Sequence, residues 1–221
     1  MSAVKILISG EAAAGKTTLI KDLSNALLLS HDGKKPVVKL PHVYISNFAD
    51  IDELLATFNE KIEAYNERYG NYPETIVIDS VSRIYDTISN ICNDKYSGFT
   101  IYSSMDKMIK QLNSYIEDTL IASGMNVILI SHALYDSETS QYNLVGKGSY
   151  AKLGGALSTV EEALFLEKKS NKRIVHFRST KFPARTLQSE LPDNLPVDEF
   201  SMQTYLEAII ANQADADSYS L

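Results

Sequence analysis

Gly10-Glu11-Ala12-Ala13-Ala14-Gly15-Lys16-Thr17 decides how this chain reads. It satisfies the pattern G-x4-G-K-[ST], in which glycines let the backbone turn tightly enough for successive N–H groups to converge on phosphate oxygens. The residues before it, 4–9 (VKILIS), are apolar and β-branched, which predicts a short buried strand. The residues after it, 17–30, place Leu19, Ile20, Leu23 and Leu27 on one face, which predicts a helix. A strand, a glycine loop and a helix N-terminus in that order make an anion cradle. The expected ligand is a nucleoside triphosphate, held by Gly10, Glu11, Ala12, Ala13, Ala14, Gly15, Lys16, Thr17 and Thr18. Lys16 is expected to neutralise the β- and γ-phosphates, and the Thr17 hydroxyl to take one position on Mg2+.

The partner of that loop is Asp79, at the end of the apolar run 75–80 (TIVIDS). A carboxylate at the tip of a buried strand is well placed to hold the water shell of Mg2+ opposite Thr17. Its alternative role is to cap the helix that follows. Serine, not glutamate, comes next. That argues against ATPases whose catalytic base directly follows the metal-binding aspartate.

Working outward, strand-like runs alternate with amphipathic stretches. Residues 36–40 and 43–45 read as short strands split by Pro41. From Asp50 to Gly70, Ile51, Leu54, Leu55, Phe58, Ile62 and Tyr65 recur at helical spacing, and helices are also expected over 82–91 and 105–120. Residues 126–131 (NVILIS) form a third buried strand. Residues 132–150 are polar and without period, two strands follow at 160–166 and 173–178, and a final helix carries Met202, Tyr205, Leu206, Ile209 and Ile210. The order predicts a three-layer α/β domain over residues 1–212, its mainly parallel sheet extended by late strands, and an acidic tail over 213–221. With 221 residues, 44% of them hydrophobic and 22% charged, one domain with a sizeable core is expected. The single cysteine, Cys92, and apolar runs too short to span a bilayer point to the cytoplasm, with no membrane partner.

With Asp79-Ser80-Val81 added to the phosphate loop, the chain resembles RecA-like P-loop ATPases. It is most similar to small phage and prophage ATP-binding proteins, some of which act in recombination or single-strand annealing. The resemblance spans residues 4–210 and also draws on Ile128-Leu129-Ile130-Ser131-His132, on Gly146-Lys147-Gly148 through Gly154-Gly155, and on Arg178-Ser179-Thr180-Lys181-Phe182-Pro183-Ala184-Arg185. It implies that His132, next to Ser131, senses the γ-phosphate, although a histidine there also suits a simple edge position. It implies too that Lys181 and Arg185, with Arg178 a further candidate, reach the nucleotide of a neighbouring subunit in a ring or filament. Such enzymes usually carry a water-orienting glutamate after the strand that follows the first helix. The stretch read as that strand, 36–42, has no carboxylate, and Glu11 and Asp50 are the nearest stand-ins.

The resemblance further implies that two loops, over 90–100 and 133–152, contact single-stranded DNA. The second interleaves Tyr135, Tyr142, Lys147, Tyr150 and Lys152, a mixture that suits base stacking with phosphate neutralisation, and Tyr96 and Phe99 offer the same in the first. A net charge of −7 opposes strong non-specific DNA binding by one chain. Residues 168–185 hold seven Lys or Arg and no acid, whereas 190–221 hold seven acids and no Lys or Arg. That segregation suits trans phosphate contacts, nucleic acid or self-assembly, but also two merely solvated faces. The leading expectation is an ATP-dependent recombination or annealing factor. The alternatives are a nucleotide-controlled assembly or loading module acting on protein partners, and a small-molecule kinase.

Overall fold

The computed structural model describes residues 3–152 and 154–217. Strand β1 (Lys5–Gly10) is followed by a short helix α1 (Lys16–Leu19), β2 (Ala26–Ser30), β3 (His42–Tyr44), α2 (Ile51–Tyr69), β4 (Thr75–Asp79), α3 (Val81–Lys95) and α4 (Phe99–Tyr115). Helix α4 runs on into a wider π turn, Ile116–Ile121. Then come β5 (Asn126–Asp136), β6 (Gln141–Leu144), α5 (Gly148–Lys152), β7 (Glu162–Lys169), β8 (Lys172–His176), β9 (Asn194–Pro196) and α6 (Met202–Asp217).

The strand order is β3-β2-β4-β5-β1-β7-β8-β9, with β6 paired to β5. From β3 to β7 every pairing is parallel; β8 and β9 extend the sheet antiparallel. Alternate residues of each strand feed opposite faces, the two-residue period of a pleated strand. Leu7, Leu27, Leu29, Ile76, Ile78 and Leu129 pack under α2, α3 and α4. Ile6, Ile8, Leu28, Val77, Ile128 and Ile130 pack against Leu19 and Ile20 on one side of the chain and Tyr205, Leu206 and Ile209 of α6 on the other. Both faces are dry, so the strands are apolar along their whole length. The result is the expected three-layer α/β domain of P-loop nucleotide-binding proteins.

One expectation changes with consequences for the site. Residues 17–30 do not form a single helix: α1 ends at Leu19, Asn25 takes a left-handed conformation (φ 46°), and residues 26–30 form β2 in the middle of the sheet. A run such as ALLLS satisfies a helical face and a buried strand equally well, and the slot between β3 and β4 decides it. Likewise residues 36–40 are irregular, although Val38 and Leu40 are buried, and only His42–Tyr44 pairs as a strand there. The stretch after Ser131 has more order than its polar composition suggested, since β5 continues to Asp136 and turns back as β6. Helix α6 continues to Asp217, past the expected start of the tail at Gln213; 218–221 lie outside the described residues.

Among the described residues, no helix is long and apolar enough to cross a membrane.

Candidate functional site

The carboxyl ends of β1, β2, β4 and β5 lie side by side, and the chain leaves β1 there to form the phosphate loop. In an open parallel sheet this edge, where strand order reverses, is where ligands bind. Gly10 sits at φ 155°, and a Cβ on it would come within 2.5 Å of the Leu166 carbonyl oxygen on β7. Gly15 at φ 101° starts α1, and Ala13 also has positive φ. The loop is thus folded by backbone conformations that side chains resist. Gly10→Ala is expected to destabilise the protein by about 1–3 kcal/mol, read as a lower midpoint in urea, because β1 and β7 must part to admit the methyl group.

Inside the loop the Lys16 ammonium donates to the carbonyls of Gly10 (3.0 Å) and Glu11 (2.8 Å). Thr17 Oγ1 donates to Asp79 Oδ2 at 2.6 Å. Burial pushes the Lys16 ammonium down to about 8, partly offset by the Asp79 carboxylate. Burial likewise raises Asp79, and the Thr17 hydrogen bond works against that rise. The two expected metal-binding groups are therefore in contact. A hydroxyl and a carboxylate suit Mg2+, which takes one or two protein oxygens and completes its shell with water and substrate phosphates. Among the described residues, no group of three His, Cys, Asp or Glu forms a self-sufficient cage, as that mode requires none.

Lys16 sets a pH prediction. A bound triphosphate stabilises the ammonium and raises its pKa above that of the empty cleft, so binding takes up a proton once the empty cleft has lost it. Affinity for nucleotide is expected to be flat below pH 8 and to fall by up to about tenfold per unit above it. Calorimetric titrations between pH 7 and 10 would measure this.

Ala13, Gly15, Lys16, Thr17, Thr18, Asp79 and His132 line one cleft of about 270 Å³. The remaining loop positions, Gly10, Glu11, Ala12 and Ala14, form the turn behind it. His132 is half-buried; its Nδ1 lies 2.9 Å from Ser82 Oγ, and its backbone N–H donates to the same hydroxyl. Burial and the nearby Lys16 charge lower its pKa. The histidine is therefore a fixed wall of the cleft on the Asp79 side. The Val145 N–H donates to its carbonyl, which ties it to the strand end of the β5–β6 hairpin.

Sequence reasoning missed the far wall, made by Ser30, Asp32, Lys34 and Lys35. The strand that follows α1 is β2, so the carboxylate just beyond that strand is Asp32. His31 anchors it: its backbone N–H donates to the Asp79 carbonyl (2.6 Å), and its ring bridges the Ile45 carbonyl and the Thr87 hydroxyl. The guanidinium of Arg83 lies 3.8 Å from the Asp32 carboxylate. The signal was present as an acid two residues past an apolar run, hidden by reading that run as helix. The two stand-ins point elsewhere. Asp50 caps α2, accepting from the Glu53 N–H, and Glu11 turns toward Tyr142, whose hydroxyl is 3.4 Å from its carboxylate.

Lys181 and Arg185 do not line this chain's phosphate cleft. Lys181 is exposed, its ammonium 5.9 Å from the centre of the Tyr142 ring and 5.3 Å from that of Phe182. Arg185 is exposed too, but its guanidinium donates to the carbonyls of Leu157 and Val160. Arg178 holds the Gln188 and Leu191 carbonyls.

A search of curated proteins finds no match. The family model described as AAA domain matches residues 2–185, which include the phosphate loop, Asp79 and His132. With most of its length matched, and with the loop lysine, the threonine–aspartate pair and the strand order found together, the chain belongs to the AAA domain family of P-loop ATPases.

Proposed function

We propose that this chain is a Mg2+-dependent ATPase that assembles on itself as a ring or filament and acts on single-stranded DNA in recombination or annealing. The observation that carries this reading is the double link between the phosphate cleft and the β5–β6 hairpin. His132 is at once a wall of the cleft and a residue of β5, and Glu11 of the loop meets Tyr142 of β6. A γ-phosphate beside His132 is therefore in contact with β5, while the phosphate loop itself is in contact with β6. Exposed aromatic and apolar side chains at Leu134 and Tyr135 on that hairpin, and at Tyr96, Phe99 and Tyr102 around the α3–α4 corner, supply stacking surface for bases. Asp32 is the residue we assign to orienting the attacking water, and Lys181 and Arg185 remain the candidates for contact with a neighbour's nucleotide.

The test is turnover measured with and without single-stranded DNA across protein concentration, together with filter binding at low salt. ATP-dependent retention of DNA, and turnover per chain that rises with concentration, are the expected results. Arg185→Ala should lower turnover of the assembled form and leave nucleotide affinity unchanged. Absence of any ATP-dependent DNA affinity would favour the second reading, a nucleotide-controlled module acting on protein partners. One observation favours that reading: the Lys147 ammonium on the second loop is paired with Asp86 (3.1 Å), so its charge is already answered within the chain.

A further inference from the structure

The cleft around Lys16, Thr17 and Asp79 is small. At about 270 Å³ it lies at the low end for small-molecule sites, and the groups that line it suit the triphosphate end of a nucleotide. Its contents fix the direction in which a nucleotide lies. Asp79 ends β4, Asp32 follows β2 and His132 lies within β5, all on one side of β1, so the terminal phosphate points to that side. The phosphate loop wraps the middle of the chain of phosphates, and the nucleoside must leave on the other side, toward β7, β8 and β9.

On that side the structure has a second cavity, of about 720 Å³, whose lining includes Lys168, Asn171, Lys172, Arg173, Asn194 and Asp198. Strand β7 runs parallel to β1, so the β7–β8 turn rises at the same edge of the sheet as the phosphate loop, and the end of β9 joins it there. The joint between the two cavities is one side chain. Arg173 reaches from β8 onto Gly15, where an added Cβ would lie 3.2 Å from the guanidinium carbon. Gly15 is required by its φ of 101°, and the Arg173 guanidinium lies close against it.

We infer that the cavity over β8 and β9 takes the nucleoside half of the bound nucleotide, and that Arg173 is the residue that holds it against the phosphate loop. A guanidinium is suited to this place because its flat face stacks on a base while its edge donates to sugar or phosphate oxygens. The side-chain amides of Asn171 and Asn194 both donate and accept, and the Asp198 carboxylate accepts from a ring or exocyclic N–H, so the lining carries partners for the polar edge of a base. This assignment rests on the phosphate loop binding a nucleoside triphosphate, and it adds which residues recognise the half that the loop does not touch.

Calorimetry with two ligands separates the two ideas. Mg-ATP probes both cavities, and Mg-tripolyphosphate, which has no nucleoside, probes the phosphate loop alone. The wild-type chain is expected to bind ATP more tightly than tripolyphosphate. Arg173→Ala should cut ATP affinity at least tenfold, leave tripolyphosphate affinity within twofold, and so erase most of the preference. Asn171→Ala, in the exposed turn away from Gly15, should weaken ATP several-fold with tripolyphosphate again unaffected. Failure of the wild type to bind either ligand would refute the nucleotide reading itself. Binding of both ligands by Arg173→Ala at wild-type strength would overturn the inference and leave that reading intact. Equal loss of both, in a variant whose circular dichroism is unchanged, would also overturn it, because Arg173 would then be shaping the loop instead of holding the nucleoside.

Discussion

Lys16→Ala is expected to lower nucleotide affinity by at least about a hundredfold while leaving the melting temperature unchanged or slightly raised. The first half follows from charge. The ammonium is the one cation inside the loop, held beneath the phosphates by two carbonyls that release it when an anion arrives, and a charge-assisted contact of this kind contributes about 1.5–3 kcal/mol for each bond made. The second half follows from burial. A cation pushed down to about 8 is one the fold holds at a cost. Its removal relieves that cost, which offsets the loss of a donor to the buried Gly10 carbonyl and the part-buried Glu11 carbonyl. Thermal unfolding and calorimetry on one preparation measure both halves. Unchanged affinity would mean that the loop binds no phosphate. A lost fold would mean that the ammonium is a structural pin.

What the sequence makes legible is whatever depends on neighbours in the chain. Strands β1, β4 and β5 begin as apolar runs that lead into Gly10, Asp79 and His132, and β-branched residues running into a polar or glycine residue reveal such an element without any tertiary information. Helix α2 is equally plain, with its apolar stripe and its Asp50 cap. Residues 26–30 are different. Three consecutive leucines carry no period, so only the space between β3 and β4 makes them a strand, and the place of Asp32 in the cleft becomes visible once that is known. The approach of Arg173 to Gly15 lies further still from anything local. It depends on two late strands folding back beside β1, and in sequence it looks like one more cation in a basic run. The same basic run shows why composition alone misleads: Arg178 and Arg185 contribute to it, yet the structure engages both with backbone carbonyls.

Asp32→Asn should therefore separate binding from turnover. The carboxylate is carried by a segment pinned through His31 to the Asp79 carbonyl, and it lines the same cleft as Lys16 and Asp79. A carboxylate in that place can accept a proton from, or orient, a water aimed at the terminal phosphorus; the amide cannot act as the base. General-base assistance contributes about a hundredfold to ten-thousandfold in rate, so kcat should fall by that order. Binding should move the other way. The Asp32 charge faces Asp79, helping to raise its pKa, and a polyanion entering the cleft meets both carboxylates; the amide lifts one of those repulsions. Affinity for ATP is expected to hold or improve by a few-fold. The pair of results distinguishes a catalytic carboxylate from a structural one, because a residue needed only to seat the segment through Arg83 would, when changed, loosen binding and turnover together. If kcat of the variant stays within twofold of wild type, the water is positioned by another group, and the far wall of the cleft serves the phosphates through Lys34 and Lys35 alone.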